Sequence, residues 1–348
     1  MSPHLPFART CVLGAGSYGT ALAMLAARHA PTLMWARNAA SAQEINQHHT
    51  LGAYLPDIAL PPALTATADF TAAVEAALGD DTQPTLFILG VPVAGLADLS
   101  TRLAQALPPQ RQQPVYVIHI CKGFDAQTGE LPHVIAHRPL QHLPWVHHGV
   151  LSGPSFALEV AKGLPSALTL ASEYEPLTHY GVQQLHGGNA RIYRSHDVIG
   201  VEVGGALKNI IAIACGISDG LGLGANARAA LITRGLAEIQ RIGIALGGQA
   251  ETFFGLTGLG DLVLTATSDL SRNRRVGLAL GQGEDLATIL SSGMTAEGVR
   301  CTQAARQLAQ QHHLHAPITE AVYQILVEGI APQQIVEGLL AREPRLEA

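Results

Sequence analysis

Short apolar runs alternate with helical patterns over more than half of this 348-residue chain. Runs of strand length occupy residues 7–13, 32–37, 64–67, 85–90, 115–120, 149–151, 166–171 and 191–194. Between some of these runs, segments such as 20–29 and 69–78 have the pattern of helices. The run at 85–90 is apolar throughout, which is typical of a strand covered on both faces. The alternation predicts an α/β fold with a doubly wound, mainly parallel sheet.

A glycine pattern stands where the first predicted strand meets the first predicted helix. The residues are Gly14-x-Gly16-x-x-Gly19. Gly14 permits a tight turn, Gly16 lets a pyrophosphate approach the backbone, and Gly19 lets helix and strand pack closely. The amide groups of the helix's first turn then face the phosphates, with the positive end of the helix dipole behind them. This arrangement predicts a Rossmann-like dinucleotide site.

The strand pattern ends close to residue 197, and only helical periodicity continues from about residue 198 to the end. We therefore predict a dinucleotide-binding domain over residues 1–196. An all-helical substrate and catalytic domain is predicted over residues 197–348. The length of the chain agrees with two domains.

Three more loops with unusual chemistry follow the carboxyl ends of predicted strands. They are Val91-Pro92, Lys122-Gly123 and the segment Ser152-Gly153-Pro154. Ligands of open α/β sheets bind at this edge. We therefore expect these loops and the glycine turn to converge on one crevice.

The end of the second predicted strand bears on the choice of cofactor. An Asp or Glu that would bind a ribose 2′-hydroxyl is missing there, and Arg37 and Asn38 stand in its place. A cation suits a 2′-phosphate better than a hydroxyl, so the sequence favours NADP over NAD. The alternative is a solvated loop arginine.

The composition indicates extensive burial. Apolar residues make up 47% of the chain and charged residues only 14%, so we expect a large core and a homodimer interface. The net charge of −6 offers no basic surface for nucleic acid.

Several features predict a cytoplasmic protein without a membrane span. The first nine residues lack the basic-then-apolar layout of a signal peptide. The four cysteines lie far apart without a Cys-x-x-Cys pair, which is typical of a reducing compartment. The longest apolar stretch, 198–217, contains Glu202, Lys208 and Asn209 and is therefore unsuited to span a membrane.

Lys208 lies in the middle of that apolar stretch, which we expect to be a buried helix. Burial disfavours the charged form of a lysine and can make it a base. Gly204-Gly205, one turn earlier, would let another backbone or a ligand come close. A snorkelling lysine or a structural ion pair remains the alternative. Asp261, after the glycine turn 257–260, is either a helix cap or the partner that orients Lys208.

Ser271-Arg272-Asn273-Arg274-Arg275 combines three arginines with a serine suited to cap a helix. Side-chain donors beside a helix N-terminus would make an anion clamp. The alternative is a solvated basic face. The glycine run 220–224 follows a helix rather than a strand, so we interpret it as an interhelical loop.

Sixteen histidines are present, but none has the spacing of a metal site, and we expect no metal. His147, His148 and the group at 312–315 are expected at the surface. His119 and His196 are the alternatives to Lys208 as the catalytic base.

Seven sequence blocks in order resemble the NAD(P)-dependent sn-glycerol-3-phosphate dehydrogenases of the bacterial biosynthetic type. The blocks are GAGSYGTAL at 14–22, KG at 122–123, LSGPSFA at 151–157, GGALKNIIAI at 204–213, GANARAALITRG at 224–235, GLGDL at 258–262 and SRNR at 271–274. Together they extend over nearly the whole chain. The resemblance is therefore more specific than the glycine pattern alone.

The resemblance implies a role for each matched residue. Lys208 would be the proton acceptor and Asp261 its neighbour in the site. Substrate-side positions would be Lys122, Gly153, Ser155, Lys208, Asn209, Asp261, Ser271, Arg272 and Asn273. Cofactor contacts would be Gly14, Gly16, Ser17, Tyr18, Gly19, Arg37, Lys122, Ala157, Arg272 and Glu297. Ser155 replaces the commoner Thr and keeps the hydroxyl.

The implied reaction is reversible hydride transfer between NADPH or NADH and dihydroxyacetone phosphate, which yields sn-glycerol 3-phosphate, the backbone of glycerophospholipids. Two alternatives stay open. A related β-hydroxyacid-type dehydrogenase would prefer a carboxylate substrate, against which Arg272 argues. A non-catalytic NADP sensor would keep the glycine turn without needing Lys208 or Asp261.

Overall fold

An eight-stranded sheet is the centre of the N-terminal part of the computed structural model, which describes residues 9–291 and 296–340. The strands are β1 (Thr10–Leu13), β2 (Thr32–Trp35), β3 (Leu64–Thr67), β4 (Thr85–Leu89), β5 (Val115–His119), β6 (Val146–Ser152), β7 (Ser166–Ala171) and β8 (Ala190–Ser195). Their order is β3-β2-β1-β4-β5-β6-β7-β8. All neighbours are parallel except β6 and β7. The predicted doubly wound sheet is confirmed.

Apolar side chains cover both faces of this sheet. Along β1, Val12 belongs to one buried cluster, whereas Cys11 and Leu13 belong to the other. Along β4, Ile88 and Phe87 are divided in the same way. Because successive side chains of a strand point to opposite faces, a sheet covered by helices on both sides needs continuous apolar strands. This is the pattern that the sequence shows.

Seven helices accompany the strands in the first unit of the structure, which comprises the described residues of 9–122 and 130–202. They are α1 (Ser17–Ala26), α2 (Ala39–His48), α3 (Phe70–Leu78), α4 (Leu96–Ala106), α5 (Pro132–His137), α6 (Ala157–Ala161) and α7 (Glu175–Leu185). β1, β4, β5 and β6 run in parallel, so the loops after them lie at the same edge of the sheet.

The second unit comprises residues 123–129 and the described residues from 203 to 340. Its helices are α8 (Val198–Gly220), which begins in the first unit, α9 (Gly224–Ala245), α10 (Ala250–Phe253), α11 (Asp261–Thr267), α12 (Arg272–Gly281), α13 (Leu286–Ser291), α14 (Glu297–Gln311), α15 (Pro317–Leu326) and α16 (Pro332–Leu340). No strand follows β8 in the described ranges, so the predicted helical C-terminal part is confirmed. The domain boundary after residue 196 stays a prediction.

Helix α8 is the one described helix that is long and apolar enough to cross a membrane. Of its most apolar window, 83% is buried within the protein. Such burial is typical of a core helix, since a helix that is apolar all round must be covered by protein or by lipid.

Two details differ from the sequence prediction. β1 begins at Thr10 rather than at residue 7, and residues 1–8 lie outside the described part of the chain. Residues 257–260, expected as a glycine turn, belong to the π-helical turn Leu256–Gly260 that leads into α11. π-Helical turns are rare and are frequent at functional sites.

Candidate active site

The glycine turn between β1 and α1 leaves space for a phosphate group. Gly14 has φ +129° and its N–H donates to the carbonyl of Trp35 at 3.0 Å. A Cβ on Gly19 would lie 2.5 Å from the carbonyl oxygen of Gly14, whereas a Cβ on Gly16 would meet nothing within 4 Å. Gly16 is also the N-cap of α1 and provides no side-chain cap. The amides at the start of α1 are therefore suited to an anion such as a pyrophosphate.

Residues from three loops at the same sheet edge are joined by hydrogen bonds. Nζ of Lys122, after β5, donates to the carbonyl oxygen of Gly153 at 3.0 Å. The hydroxyl of Ser155 lies 3.2 Å from the same carbonyl and donates to the hydroxyl of Tyr18 at 2.8 Å. The structure thus brings together four residues that the sequence predicts in the crevice.

The other predicted cofactor residues of this unit lie around the glycine turn. Ser17 begins α1 and donates to the carbonyl of Tyr54 at 2.9 Å. Ala157 begins α6, which packs against α1. Arg37 is exposed directly after β2, and the side chain of Asn38 caps α2 by accepting from the amide of Ala40 at 2.9 Å. Asn38 therefore caps its helix, and the selection of a 2′-phosphate by Arg37 stays a prediction.

A buried ion pair forms the centre of the candidate site in the second unit. Lys208 on α8 is 7% exposed, and its Nζ donates to a carboxylate oxygen of Asp261 at the start of α11. Nζ also lies 2.8 Å from the hydroxyl oxygen of Thr265, and that hydroxyl donates to the backbone carbonyl of Asp261 at 2.6 Å. Lys208 is therefore held by two groups on α11.

Asp261 takes the second of the two roles that the sequence left open, because its carboxylate pairs with Lys208. The residue before α11, Gly260, provides no side-chain cap. Thr265 was not predicted, although its i+4 spacing from Asp261 places both side chains on one helix face. The catalytic roles of Lys208 and Asp261 stay predictions.

Close backbone contact explains why α8 and α11 can place these groups together. A Cβ on Gly204 would lie 2.7 Å from the carbonyl oxygen of Thr257, in the π-helical turn before Asp261. Gly204 lies about one turn before Lys208 on α8. The absence of a side chain at Gly204 therefore allows the π-helical turn to come near enough for the ion pair to form.

An amide network links α8, α12 and α14. Nδ2 of Asn273 donates to Oδ1 of Asn209 at 2.9 Å, and Oδ1 of Asn273 accepts from the amide of Gly298 at 2.9 Å. Ser271 is the N-cap of α12, as predicted, and its hydroxyl accepts from the amide of Arg274 at 3.2 Å. Asn273 thus joins the first turn of α12 to α8 and α14, and its contact with a substrate phosphate stays a prediction.

The three arginines at 272–275 have different roles, which corrects the expectation that they form one clamp. Arg274 is buried and pairs with Asp219 at 2.7 Å and with Asp269 at 2.6 Å. Those carboxylates neutralise its charge, so Arg274 is structural. Arg272 and Arg275 are exposed.

Glu297 begins α14 and lies near Arg272. Burial raises the pKa of the Glu297 carboxyl above its ordinary value, while the charges of Arg300 and Arg272 partly oppose this shift. Glu297 is therefore within electrostatic range of Arg272, which is one of the predicted ligand-binding residues. Its own contact with a cofactor stays a prediction.

The two histidines considered as bases have different surroundings. His119 is 2% exposed, and its Nε2 lies 2.7 Å from Oε1 of Glu202 in the first unit. Oε2 of Glu202 lies 2.6 Å from Nδ1 of His133. His196 is exposed. His119 therefore has a structural partner, and Lys208 stays the preferred candidate for the base.

The expectation that His147 and His148 lie at the surface was wrong, because both are half-buried in β6. His312, His313 and His315 are exposed, as expected. Among the residues that the structure describes, no three His, Cys, Asp or Glu side chains are placed to hold a metal ion.

Replacing Glu202 by Gln is expected to lower the free energy of unfolding by about 1.5–3 kcal/mol, since hydrogen bonds to a charged group are lost. Burial alone would raise the pKa of Glu202, but His119 and His133 together hold it below its ordinary value of 4.5. Burial alone would lower the pKa of His133, but Glu202 holds it above its ordinary value of 6.5.

The Glu202 contribution is present above pH 4.5 and is lost as the pH falls through its lowered pKa. The His133 contribution is present below pH 6.5 and is lost as the pH rises through its raised pKa. Denaturant unfolding should therefore show the largest difference between wild type and Glu202→Gln from pH 4.5 to 6.5. Glu75→Gln, which removes an exposed carboxylate on α3, is the control. Equal unfolding profiles for wild type and Glu202→Gln would contradict this interpretation.

Comparisons with known proteins match both parts of the chain to one family. A sequence profile described as NAD-dependent glycerol-3-phosphate dehydrogenase N-terminus matches residues 9–177, and the corresponding C-terminus profile matches residues 197–337. The chain is 53% identical over 343 residues to a glycerol-3-phosphate dehydrogenase [NAD(P)+] of Burkholderia lata, covering 97% of this chain and 100% of the relative.

Solved structures show the same similarity. A glycerol-3-phosphate dehydrogenase from Coxiella burnetii matches with a TM-score of 0.85 and 40% identity, over 97% of this chain and 100% of that one. A glycerol-3-phosphate dehydrogenase of Saccharomyces cerevisiae matches with a TM-score of 0.77 and 25% identity, over 96% and 99%.

Proposed function

The chain belongs to the NAD-dependent glycerol-3-phosphate dehydrogenase family, and we propose that it reduces dihydroxyacetone phosphate to sn-glycerol 3-phosphate with NADPH or NADH. The reaction is reversible, and its product is the backbone of glycerophospholipids. The observation that carries the proposal is the buried pair of Lys208 and Asp261, which presents a proton donor beside the candidate phosphate clamp in the second unit.

The glycine turn and its neighbours hold the dinucleotide. Gly14, Gly16 and Gly19 form the turn, and the open space at Gly16 admits the pyrophosphate to the amides of α1. Tyr18 at the start of α1, Lys122 after β5 and Ser155 after β6 border the same sheet edge. When bound, the nicotinamide gives or takes the hydride at C4.

Lys208 moves the proton. In the reducing direction its protonated Nζ donates to the carbonyl oxygen of the substrate, on which negative charge develops as C2 gains the hydride. In the reverse direction neutral Nζ accepts the proton of the C2 hydroxyl. Asp261 and Thr265 fix the position of Nζ. Such general acid–base catalysis contributes about 10²–10⁴-fold to the rate.

The start of α12 holds the substrate phosphate. Arg272 brings a guanidinium group, and the first turn of α12, fixed by Ser271 and Asn273, brings backbone amides. A phosphate held away from the reacting carbon orients the substrate, which lowers the entropic part of the barrier.

The direct test measures oxidation of NADPH and of NADH with dihydroxyacetone phosphate by the absorbance of the reduced nicotinamide. A panel of 2-oxo acids at the same concentrations provides the carboxylate substrates. We expect turnover with dihydroxyacetone phosphate alone. Turnover with a 2-oxo acid instead would assign a different dehydrogenase activity, and no oxidation with any substrate would favour a binding protein.

Arg37→Ala is expected to raise the KM for NADPH about tenfold and to leave the KM for NADH nearly unchanged, because only NADPH carries the 2′-phosphate. Steady-state kinetics with both cofactors measure the two values, and NADH serves as the internal control. Equal changes in both KM values would assign Arg37 a structural role instead.

We further propose that the protein is a cytoplasmic homodimer. The first half of α9 exposes Ala225, Ala229 and Ala230, and Phe254, directly after α10, is 60% exposed. Exposed apolar residues on a chain with so few charges suit a second copy of the same chain. Sedimentation velocity should show twice the mass of one chain, and a monomer at micromolar concentration would refute this assembly.

A further inference from the structure

A thiol, an imidazole and a carboxylate lie in a row at the end of β5. Sγ of Cys121 lies 3.6 Å from Nδ1 of His119, and Nε2 of the same ring lies 2.7 Å from Oε1 of Glu202. The imidazole and the carboxylate are almost completely buried, whereas Cys121 is partly exposed. The dehydrogenase mechanism uses none of these three groups.

The carboxylate of Glu202 determines which ring nitrogen of His119 carries the proton, and therefore that the nitrogen facing the thiol is an acceptor. A proton on Nε2 is stabilised by the neighbouring Glu202, which leaves the lone pair of Nδ1 directed at Sγ. His119 can therefore take the thiol proton, and Glu202 stabilises the imidazolium that forms. A cysteine becomes a stronger nucleophile when a base lies next to its thiol and a third group orients that base.

Other titratable side chains surround His119 and Cys121. Lys122 follows the thiol directly on the chain, and its Nζ donates to the carbonyl oxygen of Gly153 at 3.0 Å. From α5, His133 shares Glu202 with His119. From β6, His148 stays neutral, since burial together with the surrounding imidazoles lowers its pKa to about 3.

The remaining three cysteines provide an internal comparison. Cys11, Cys215 and Cys301 are buried, and burial raises the pKa of each thiol, to about 12 for the latter two. Buried thiols of this kind are inert because the thiolate is the reactive form. Cys121 differs from them in both exposure and surroundings.

We propose that Cys121 is a modification site whose thiol, activated by His119 and Glu202, reacts with small uncharged electrophiles and with hydroperoxides. With a hydroperoxide, Nδ1 takes the thiol proton and the thiolate sulfur attacks one peroxide oxygen. The S–O bond forms as the O–O bond breaks, so the sulfur is oxidised to a sulfenic acid and the peroxide is reduced. The leaving alkoxide or hydroxide receives the proton from the imidazolium. The product is a sulfenic acid beside Lys122.

The test uses iodoacetamide on the whole folded protein, with glutathione in the same solution as the reference thiol, and peptide mass spectrometry assigns the adduct. We expect Cys121 to be alkylated first among the four cysteines and faster than glutathione at pH 7. In a second arm, hydrogen peroxide followed by dimedone should label the peptide that contains Cys121. These readouts do not depend on turnover, so they succeed or fail separately from the proposed dehydrogenase activity.

His119→Asn tests the base, because Asn keeps a polar side chain but cannot take the proton. We expect alkylation of Cys121 to slow about tenfold or more. Cys121→Ser is the matched control, which should lose the adduct without gaining one elsewhere. If His119→Asn does not fold, the proposal is tested by the wild type alone, in which Cys121 must be alkylated before the other three cysteines and faster than glutathione. Alkylation of Cys121 no faster than of glutathione, or unchanged by His119→Asn, would overturn the proposal.

Discussion

Replacing Lys208 by Met is expected to lower kcat about 10²–10⁴-fold, because the substrate oxygen then loses its proton donor. NADPH binding should stay nearly unchanged, since the glycine turn and its neighbours bind the dinucleotide without Lys208. Steady-state kinetics measure the first quantity, and a fluorescence titration with NADPH measures the second. Loss of NADPH affinity together with turnover would indicate a folding defect rather than a missing acid.

Two variants separate chemistry from stability in this experiment. Lys208→Met leaves the buried Asp261 carboxylate without its cation, which costs about 3–5 kcal/mol of stability. The double variant with Asp261→Asn removes that charge, so it should recover stability without recovering turnover. Lys162→Met, at an exposed lysine, controls for loss of a positive charge. Near-normal turnover in Lys208→Met would contradict the assignment and direct attention to His119.

Most of the fold could be predicted from the sequence because each strand carries its own signal. A sheet covered on both faces requires continuous apolar strands, and β4 and β5 are buried at every position. The glycine pattern adds the turn at Gly14, whose φ of +129° few residues other than glycine adopt. These signals are local, so they can be recognised without knowledge of what packs against them.

The site could be predicted less completely, because its chemistry depends on pairs of charged side chains that are distant from each other in the sequence. The pattern around Lys208 predicts a buried lysine, but only the packing of α8 against the π-helical turn decides that Asp261 is its partner. Likewise nothing near His119 indicates Glu202. Buried charges must be paired, yet the sequence leaves the identity of each partner open.

The arginines of α12 show that the partner of a charged residue is hard to predict even for neighbours in the sequence. Arg272 and Arg274 are two residues apart, and their side chains are chemically identical. On a helix they point in different directions, so Arg274 meets Asp219 and Asp269, whereas Arg272 stays exposed near Glu297. A count of positive charges therefore overestimates the predicted clamp, since Arg274 is already paired, and Arg272 with the first turn of α12 stays the candidate.

Arg272→Ala is expected to raise the KM for dihydroxyacetone phosphate about 10–100-fold, since a hydrogen bond to a charged group contributes about 1.5–3 kcal/mol. The KM should rise more than kcat falls, because the phosphate is bound in the ground state as well as in the transition state. Steady-state kinetics over a range of substrate concentrations at saturating NADPH separate the two constants.

The neighbouring arginines provide matched controls for this prediction. Arg275→Ala removes an exposed guanidinium from the same helix and should change neither the KM nor the stability. Arg274→Ala breaks the pairs with Asp219 and Asp269, so it should lower the melting temperature. If the phosphate is held by Arg272, only its removal affects the KM without affecting stability. An unchanged KM in Arg272→Ala, or an equal rise in Arg275→Ala, would mean that the helix presents a general positive field rather than a specific clamp.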